Sequence, residues 1–339
     1  EEKARKPYKE QRKKLKAVEV KADQIAEKLN PFTFEGFERK LYRKTGEGIR
    51  VSYHYKQVLK ELTKRDQLGT ASNYHLSQKS IKEFVQNVTK RRYEKLTFFD
   101  ITPEWLKDYE HFMTETKDRS LTTVSIYLRT LRAIFNKAID EKEIEREYYP
   151  FGKRKYQVPA TRNIKKALSR DQLKTLFNSE PETPEQQKAK DFWFFSYALN
   201  GMNMKDIVLL RFKDIQYDKV QFYRAKTRIT SKGNLKPVTA YLNDFTSGVI
   251  EKYGSDIRYP VNLVFGIIND NMTAKEQQIR IKAFTRFVNQ HVKKLSKANG
   301  LPEEISTYWA RHSFATNAVR MGATMEFIQE SLGHENLST

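Results

Sequence analysis

The sequence predicts a mainly α-helical protein with one small β-sheet. Three observations lead there. Apolar residues recur at three- and four-residue steps through most of the chain, the period of an amphipathic helix. Only one pair of segments alternates at the period of a strand. At 339 residues the chain also exceeds what a single core usually supports, about 250–300 residues, so more than one domain is expected.

Taken in order, residues 1–28 are dense in Lys, Arg and Glu, with Leu15, Val18, Ala22, Ile25, Ala26 and Leu29 forming a thin apolar stripe. This helix, within a segment 1–29, is either the outgoing linker of an upstream domain or a charged helix lying on the next one. Asn30-Pro31 ends it, Phe32, Phe34 and Phe37 open a more apolar region, and Gly46 to Gly48 reads as a loop. Two helices come next between Val51 and Val88, with a break expected near Gly69. Thr102 and Pro103 start another, as N-cap and first helical residue, which buries Trp105, Leu106, Tyr109, Phe112 and Met113. The next, Ser120 to Ile139, puts Val124, Tyr127, Leu128, Leu131, Ile134, Phe135 and Ala138 on one stripe and Arg129, Arg132 and Lys137 elsewhere. Residues 30–149 thus read as a helical bundle with basic surfaces.

Residues 150–166 hold turn formers, Lys153, Arg154, Lys155, Arg162, Lys165 and Lys166, and no acidic residue. That composition is an interdomain linker suited to a phosphate backbone. Beyond it, Ser169 with Gln172 resembles a capping box, and Phe192 to Leu199 is apolar enough for a buried helix. A helix is expected from Asp206, closing at Asp214-Ile215. Lys219 to Tyr223 and Pro237 to Leu242 alternate as a hairpin, and the chain from Ala274 onward is helical, so residues 167–339 form an α+β domain.

Charge narrows the partners. Sixty-three Lys and Arg against 42 Asp and Glu leave +21, which makes nucleic acid the first candidate, because phosphate neutralisation dominates such binding. The basic residues are spread along the chain, which argues against a membrane surface, and no apolar run of about 18 residues offers a span. With no cysteine, disulfide and thiolate chemistry are excluded, and the six histidines show no metal-ligand spacing, so neither metal nor cofactor is expected. A cytoplasmic location fits. The first residue is not Met, so both ends are expected to be cut points in a longer polypeptide.

The chemistry concentrates at the end of the chain. Arg311-His312 lies near the start of a helix spanning roughly 307–320, with Phe314, Ala315, Ala318 and Val319 expected in its core contacts, and His334 comes after a second helix that Gly333 ends. Arginine offers a permanently charged fork for two phosphate oxygens, and histidine donates a hydrogen bond or moves a proton near neutral pH. Together they suit a phosphoryl transition state.

Tyr308-Trp309-Ala310-Arg311-His312 followed by Leu332-Gly333-His334 resembles the carboxy-terminal box of the tyrosine recombinase (phage-integrase) family. Gly201-Met202-Asn203-Met204-Lys205-Asp206 stands where that family has its Gly-Leu-Arg helix, Ala225-Lys226-Thr227 where it has a catalytic lysine, and residues 121–139 resemble the last helix of its DNA-binding domain. The resemblance implies a helical, SAM-like core-DNA-binding domain and an α+β catalytic domain. It also implies roles: Arg311 clamps the scissile phosphate, His334 donates to it, and Lys226 protonates the leaving 5′ oxygen. His312 is a helper or a packing residue, and Tyr308, standing where the box usually has histidine or lysine, bonds phosphate or packs beside Trp309. Asn203 occupies the first-arginine position and cannot neutralise charge; Arg211, Arg224 and Arg228 are the nearby cations, with no choice among them. The family's tyrosine nucleophile is expected after Thr339, so the chain as written should bind DNA without cleaving it.

The variant box with Asn203 resembles integrases of conjugative transposons and other mobile elements. The resemblance therefore implies a bacterial site-specific recombinase that forms a 3′-phosphotyrosyl intermediate on double-stranded core sites. It would act as a homotetramer, with DNA-bending factors as further partners. Lys153, Arg154, Lys155, Arg162, Lys165, Lys166, Arg129 and Arg132 are the candidate DNA contacts. A catalytically silent accessory protein of the same descent is the alternative, and a type IB topoisomerase-like enzyme a third reading.

Overall fold

The computed structural model describes residues 6–160, 166–226 and 236–333. It is mainly helical with one three-stranded sheet, and it divides into two compact units, residues 1–162 and 163–339.

The first unit holds α1 (Lys6–Lys28), α2 (Phe34–Leu41), α3 (Val51–Lys64), α4 (Leu68–Asn87), α5 (Pro103–His111) and α6 (Leu121–Asp140). Thr102 caps α5 by accepting from the Trp105 N–H at 3.2 Å, with Pro103 next in the chain. The core gathers Val51 and Tyr55 of α3, Ile81 and Phe84 of α4, Leu106 and Tyr109 of α5, and Leu128, Leu131 and Phe135 of α6. Burying a polar atom there requires a partner. The Tyr55 hydroxyl meets Ser77 Oγ at 2.9 Å, and Ser77 in turn donates to the Tyr127 carbonyl at 3.0 Å.

The break between α3 and α4 lies at Arg65 to Gln67, with Asp66 at φ 52°, and not at Gly69, which sits in the first turn of α4. An aspartate tolerates the left-handed region, so the turn does not need a glycine. Phe32 and Phe34 stay exposed, at 55% and 72%. Residues 150–156 are also more than a bare linker, because Phe151 and Tyr156 both enter this core.

α1 and α2 contribute nothing to that core. α2 and the residues just after it are tied down by charge: Arg43 grips Glu143 with two hydrogen bonds of 2.7 and 2.9 Å, Arg39 reaches Glu141 at 3.0 Å, and Lys40 donates to the Glu141 carbonyl at 3.0 Å. Behind them His54 is buried, with Nε2 2.8 Å from the Gly48 carbonyl and Nδ1 without a hydrogen-bond partner.

The second unit is organised on α8 (Pro184–Ala198), whose Phe192, Trp193, Phe194 and Phe195 are all buried, since a helix apolar on every side must be covered on every side. Around it lie α7 (Arg170–Asn178), α9 (Met204–Val208), α10 (Asp244–Tyr253), α11 (Ala274–Ala298), α12 (Thr307–Arg320) and α13 (Met325–Leu332). The sheet is antiparallel in the order β1 (Ile215–Gln216), β2 (Lys219–Phe222), β3 (Val238–Tyr241), with Val220 opposite Ala240 and Phe222 opposite Val238 on the buried face. The helix expected to run on to Asp214-Ile215 instead ends at Val208, and Ile215 starts β1. Arg211 and Phe212 leave it because their backbone pairs with the 260–264 segment: the Phe212 N–H donates to Asn262 at 3.1 Å, and the Val264 N–H donates to Leu210 at 2.8 Å.

Candidate phosphate-binding site

α12 carries Arg311, and its buried face differs from the expected one: Trp309, Ala310, Arg311, Ser313 and Asn317 are buried, while Val319 is 48% exposed. Hydrophobicity alone picks the wrong side because the polar residues have dedicated partners. The Leu168 N–H donates to Ser313 Oγ at 2.9 Å and Asn317 Nδ2 donates to the Leu168 carbonyl at 3.2 Å, which fixes the helix azimuth.

That azimuth turns Arg311 inward, where it is only 6% exposed. One guanidinium nitrogen donates to the Gly201 carbonyl at 2.9 Å and another to the Leu332 carbonyl at 2.5 Å. Gly201 makes this possible. Its φ of +69° lies in the left-handed region, and a Cβ there would stand 2.6 Å from Arg311 Cα. The preceding Asn200 shares the left-handed turn at φ 56° and donates to the Thr239 carbonyl at 3.1 Å, joining the turn to β3.

Gly333 is the C-cap of α13, at φ 59°, and its carbonyl accepts from Arg224 at 3.0 Å. Two arginines from distant segments therefore bind successive carbonyls, Leu332 and Gly333, at the negative end of one helix. Burial draws the Arg311 pKa down to about 10, and the neighbouring Arg224 charge pushes the same way against the pull of Tyr308 and Asp206. Arg224 Nε is buried with no hydrogen-bond partner.

Asp206 of α9 is 6% exposed and ties these parts together. One carboxylate oxygen accepts the Ala225 N–H at 2.9 Å and the other lies 3.5 Å from Asn203 Nδ2. Burial raises its pKa, opposed by the Ala225 N–H, by the Arg224 charge, by Asn203 and by Arg311. Lys226, next to Ala225, is exposed.

The structure thus brings Arg311 and Asn203 to one locus around Asp206, with Lys226 in the turn that follows β2. Tyr308, 57% exposed, stacks edge-on against His312 with ring centroids 4.5 Å apart. His334, Arg162 and Lys165 lie outside the described residues, as does Arg228. Of the three cations near Asn203, Arg211 is committed elsewhere, paired with Asp270 through contacts of 2.6 and 3.1 Å.

Among the candidate DNA contacts, Arg129 and Arg132 lie exposed on α6, and Lys153 and Arg154 are exposed as well. Lys155 is occupied, donating to the Glu147 and Tyr149 carbonyls at 3.1 and 2.6 Å. Lys166 pairs with Glu304 at 3.4 Å and lies over the Trp309 ring. Two residues to which the sequence assigns no role, Asp206 and Gly201, prove central. Asp206 has a signal, since three residues from Asn203 on a helix is the same face.

The chain resembles known proteins over both of its units. Residues 166–339 match the phage integrase family and residues 51–158 a phage integrase SAM-like domain. A tyrosine recombinase of Thermosipho africanus is 27% identical over 245 residues, covering 69% of this chain and 77% of its own. Tyrosine recombinase XerA of Thermococcus kodakarensis is 26% identical over 217 residues, covering 64% and 68%. Among solved structures, the Tn1549 transposon integrase in complex with circular intermediate DNA superposes with TM-score 0.58 at 16% identity, over 86% of this chain and 93% of that one. The XerH recombinase bound to difH gives 0.53 at 16%, over 95% and 88%.

Fold and relatives together define a tyrosine-type site-specific recombinase. The chain belongs to the phage integrase family, and its fold is similar to that of the Tn1549 transposon integrase. Among the described residues no helix is long and apolar enough to cross a membrane.

Proposed function

We propose that this recombinase is the integrase of a bacterial mobile element, acting on double-stranded DNA in the cytoplasm. The observation that carries the site assignment is the buried Arg311, held by the Gly201 and Leu332 carbonyls near Asp206, which also contacts Asn203 and the Ala225 N–H next to Lys226. An arginine fixed in this way is already in place when a phosphate arrives, and such preorganisation is what stabilising a phosphoryl transition state demands.

In this reading Arg311 holds the scissile phosphate and His334 donates to a non-bridging oxygen. A bond forms from phosphorus to the tyrosine oxygen, whose hydroxyl proton passes to solvent, the phosphorus–O5′ bond breaks, and Lys226 supplies the proton that the leaving 5′ oxygen takes up. Tyr308 bonds the phosphate from the exposed side, and His312 orients it edge-on. The nucleophile that this reading requires is a tyrosine expected after Thr339. The covalent ester conserves the energy of the broken bond, so strand exchange through a Holliday junction needs no external energy source. The assembly is a homotetramer on two sites, with DNA-bending factors as accessory partners. Residues 30–149 serve as the core-DNA-binding domain, where α6 offers Arg129 and Arg132 to the duplex. The 150–166 stretch is a basic linker with Lys153 and Arg154 outward, and residues 167–339 form the catalytic domain.

Asn203 favours a second reading, a catalytically silent DNA-binding protein of recombinase descent. One experiment separates them. The complete gene product is incubated with a nicked suicide duplex from the element's own junction, and a covalent 3′ adduct is sought. An adduct supports the integrase; DNA binding without an adduct supports the silent protein.

A further inference from the structure

We infer that Arg224, at the end of β2, supplies the phosphate-neutralising charge that Asn203 cannot, so that the two-arginine site is rebuilt from the hairpin instead of from α9. The inference rests on the recombinase reading and specifies its chemistry.

Arg224 and Arg311 donate to successive carbonyls at the end of α13, at 3.0 and 2.5 Å, so both guanidiniums converge on the backbone that leads directly into His334. Burial and then the Arg224 charge draw the Arg311 pKa down, and a buried arginine beside a half-buried one is unfavourable unless an anion joins them. Asp206 compensates only in part, because its carboxylate is already shared with the Ala225 N–H and Asn203. Arg224 has five N–H donors and spends one nitrogen on Gly333, while its buried Nε has no partner at all.

A helix cap uses only the Gly333 contact, so the buried Nε of Arg224 is left over for a further acceptor. Arg224 also packs tightly here: a Cβ on Gly333 would fall 2.6 Å from Arg224 Cδ and 2.7 Å from a Val238 methyl. Arg211 is excluded by its two-pronged pairing with Asp270. A pocket with a surplus cation, an idle donor and an adjacent arginine fits a dianionic phosphoryl transition state, whose second charge one arginine leaves exposed.

The test uses the complete gene product on suicide duplexes carrying either a phosphate or a neutral methylphosphonate at the scissile position. Arg224→Ala is expected to lower adduct formation on phosphate DNA on the order of 10²–10³-fold, and on methylphosphonate DNA by less than about tenfold, because the charge it neutralised is gone. Should Arg224→Ala fail to fold, Arg224→Lys and Arg224→Gln carry the same comparison: lysine keeps phosphate cleavage well above glutamine, and the difference vanishes on methylphosphonate. Equal losses on both DNAs make Arg224 a structural cap and overturn the inference, as does unchanged cleavage of phosphate DNA. An inactive wild-type protein on both DNAs overturns the recombinase reading itself, an outcome distinct from a selective failure at Arg224.

Discussion

Replacing Gly201 by alanine attacks the site through a single methyl group. The residue sits at φ +69°, where an L side chain costs about 1–2 kcal/mol, and its Cβ would lie 2.6 Å from Arg311 Cα and 2.9 Å from Arg311 Cβ. Those neighbours are backbone and the root of a buried side chain, so they cannot swing aside, and forcing the group in costs about 1–3 kcal/mol more. The sum, about 2–5 kcal/mol, is a large part of the stability of an ordinary domain. The two units need not unfold together, so the signal must belong to the second. Trp193 and Trp309 lie there, and Trp105 in the first can be changed to phenylalanine. Urea unfolding followed by tryptophan fluorescence in that background should show the loss, and DNA cleavage by the folded fraction should fall on the order of 10²–10³-fold as Arg311 is displaced. A Gly201→Ala protein within about 0.5 kcal/mol of its parent, with cleavage intact, would refute the claim that this close approach positions Arg311.

Lys226→Ala should abolish cleavage of the suicide duplex while leaving affinity in a mobility-shift assay nearly unchanged; a matching loss of binding would make Lys226 one phosphate contact among many. Burial holds the His54 pKa below its ordinary value near 6.5, so below that pH the unfolded chain binds a proton that the folded chain resists. The first unit should therefore lose stability on acidification through the region below about 6.5, and His54→Gln should flatten that slope in melts at pH 5.5 and 7.5. Glu143→Ala, which removes the grip on Arg43, should cost about 1–3 kcal/mol and release hydrogen-exchange protection in α2 before α3 and α4. Simultaneous loss across all three helices would mean that α2 is bound by more than its ion pairs.

How much of this is legible in sequence depends on whether local pattern or long-range pairing decides the position. The α5 and α6 stripes, from Leu106 to Ala138, are buried as their period requires, with Trp105 and Tyr127 half-buried, because each element faces one core. The α12 face escapes the pattern because Ser313 and Asn317 are buried against a backbone 145 and 149 residues away. The end of α9 escapes it for a similar reason, the pairing of Leu210 and Phe212 with residues beyond 260. Arg211, Arg224 and Arg228 are equivalent as letters near Asn203; only the Asp270 partner of Arg211 and the Gly333 partner of Arg224 separate the first two. Charge counting likewise puts Lys155 among the phosphate contacts, although carbonyls of its own unit occupy its ammonium.

The placement of Asp206 links Lys226, the proton donor of the proposed mechanism, to Arg311, its proposed phosphate clamp. A carboxylate so deeply buried is costly unless cations and donors surround it, and here they come from α9, α12 and the strand end at once. Its bond to the Ala225 N–H fixes the backbone one residue before Lys226, while its charge offsets Arg224 and Arg311. Moving the hairpin therefore disturbs the balance of the arginine pair, and an anion between the arginines relieves the same repulsion that Asp206 relieves in part. In the proposed mechanism, phosphate entry and the seating of Lys226 are therefore coupled through that one side chain. Asp206→Asn keeps the size and an acceptor for Ala225 but removes the charge, so it should tighten inorganic phosphate binding to the pocket while cleavage falls. If phosphate bound no tighter in calorimetry, Asp206 would be acting through shape alone.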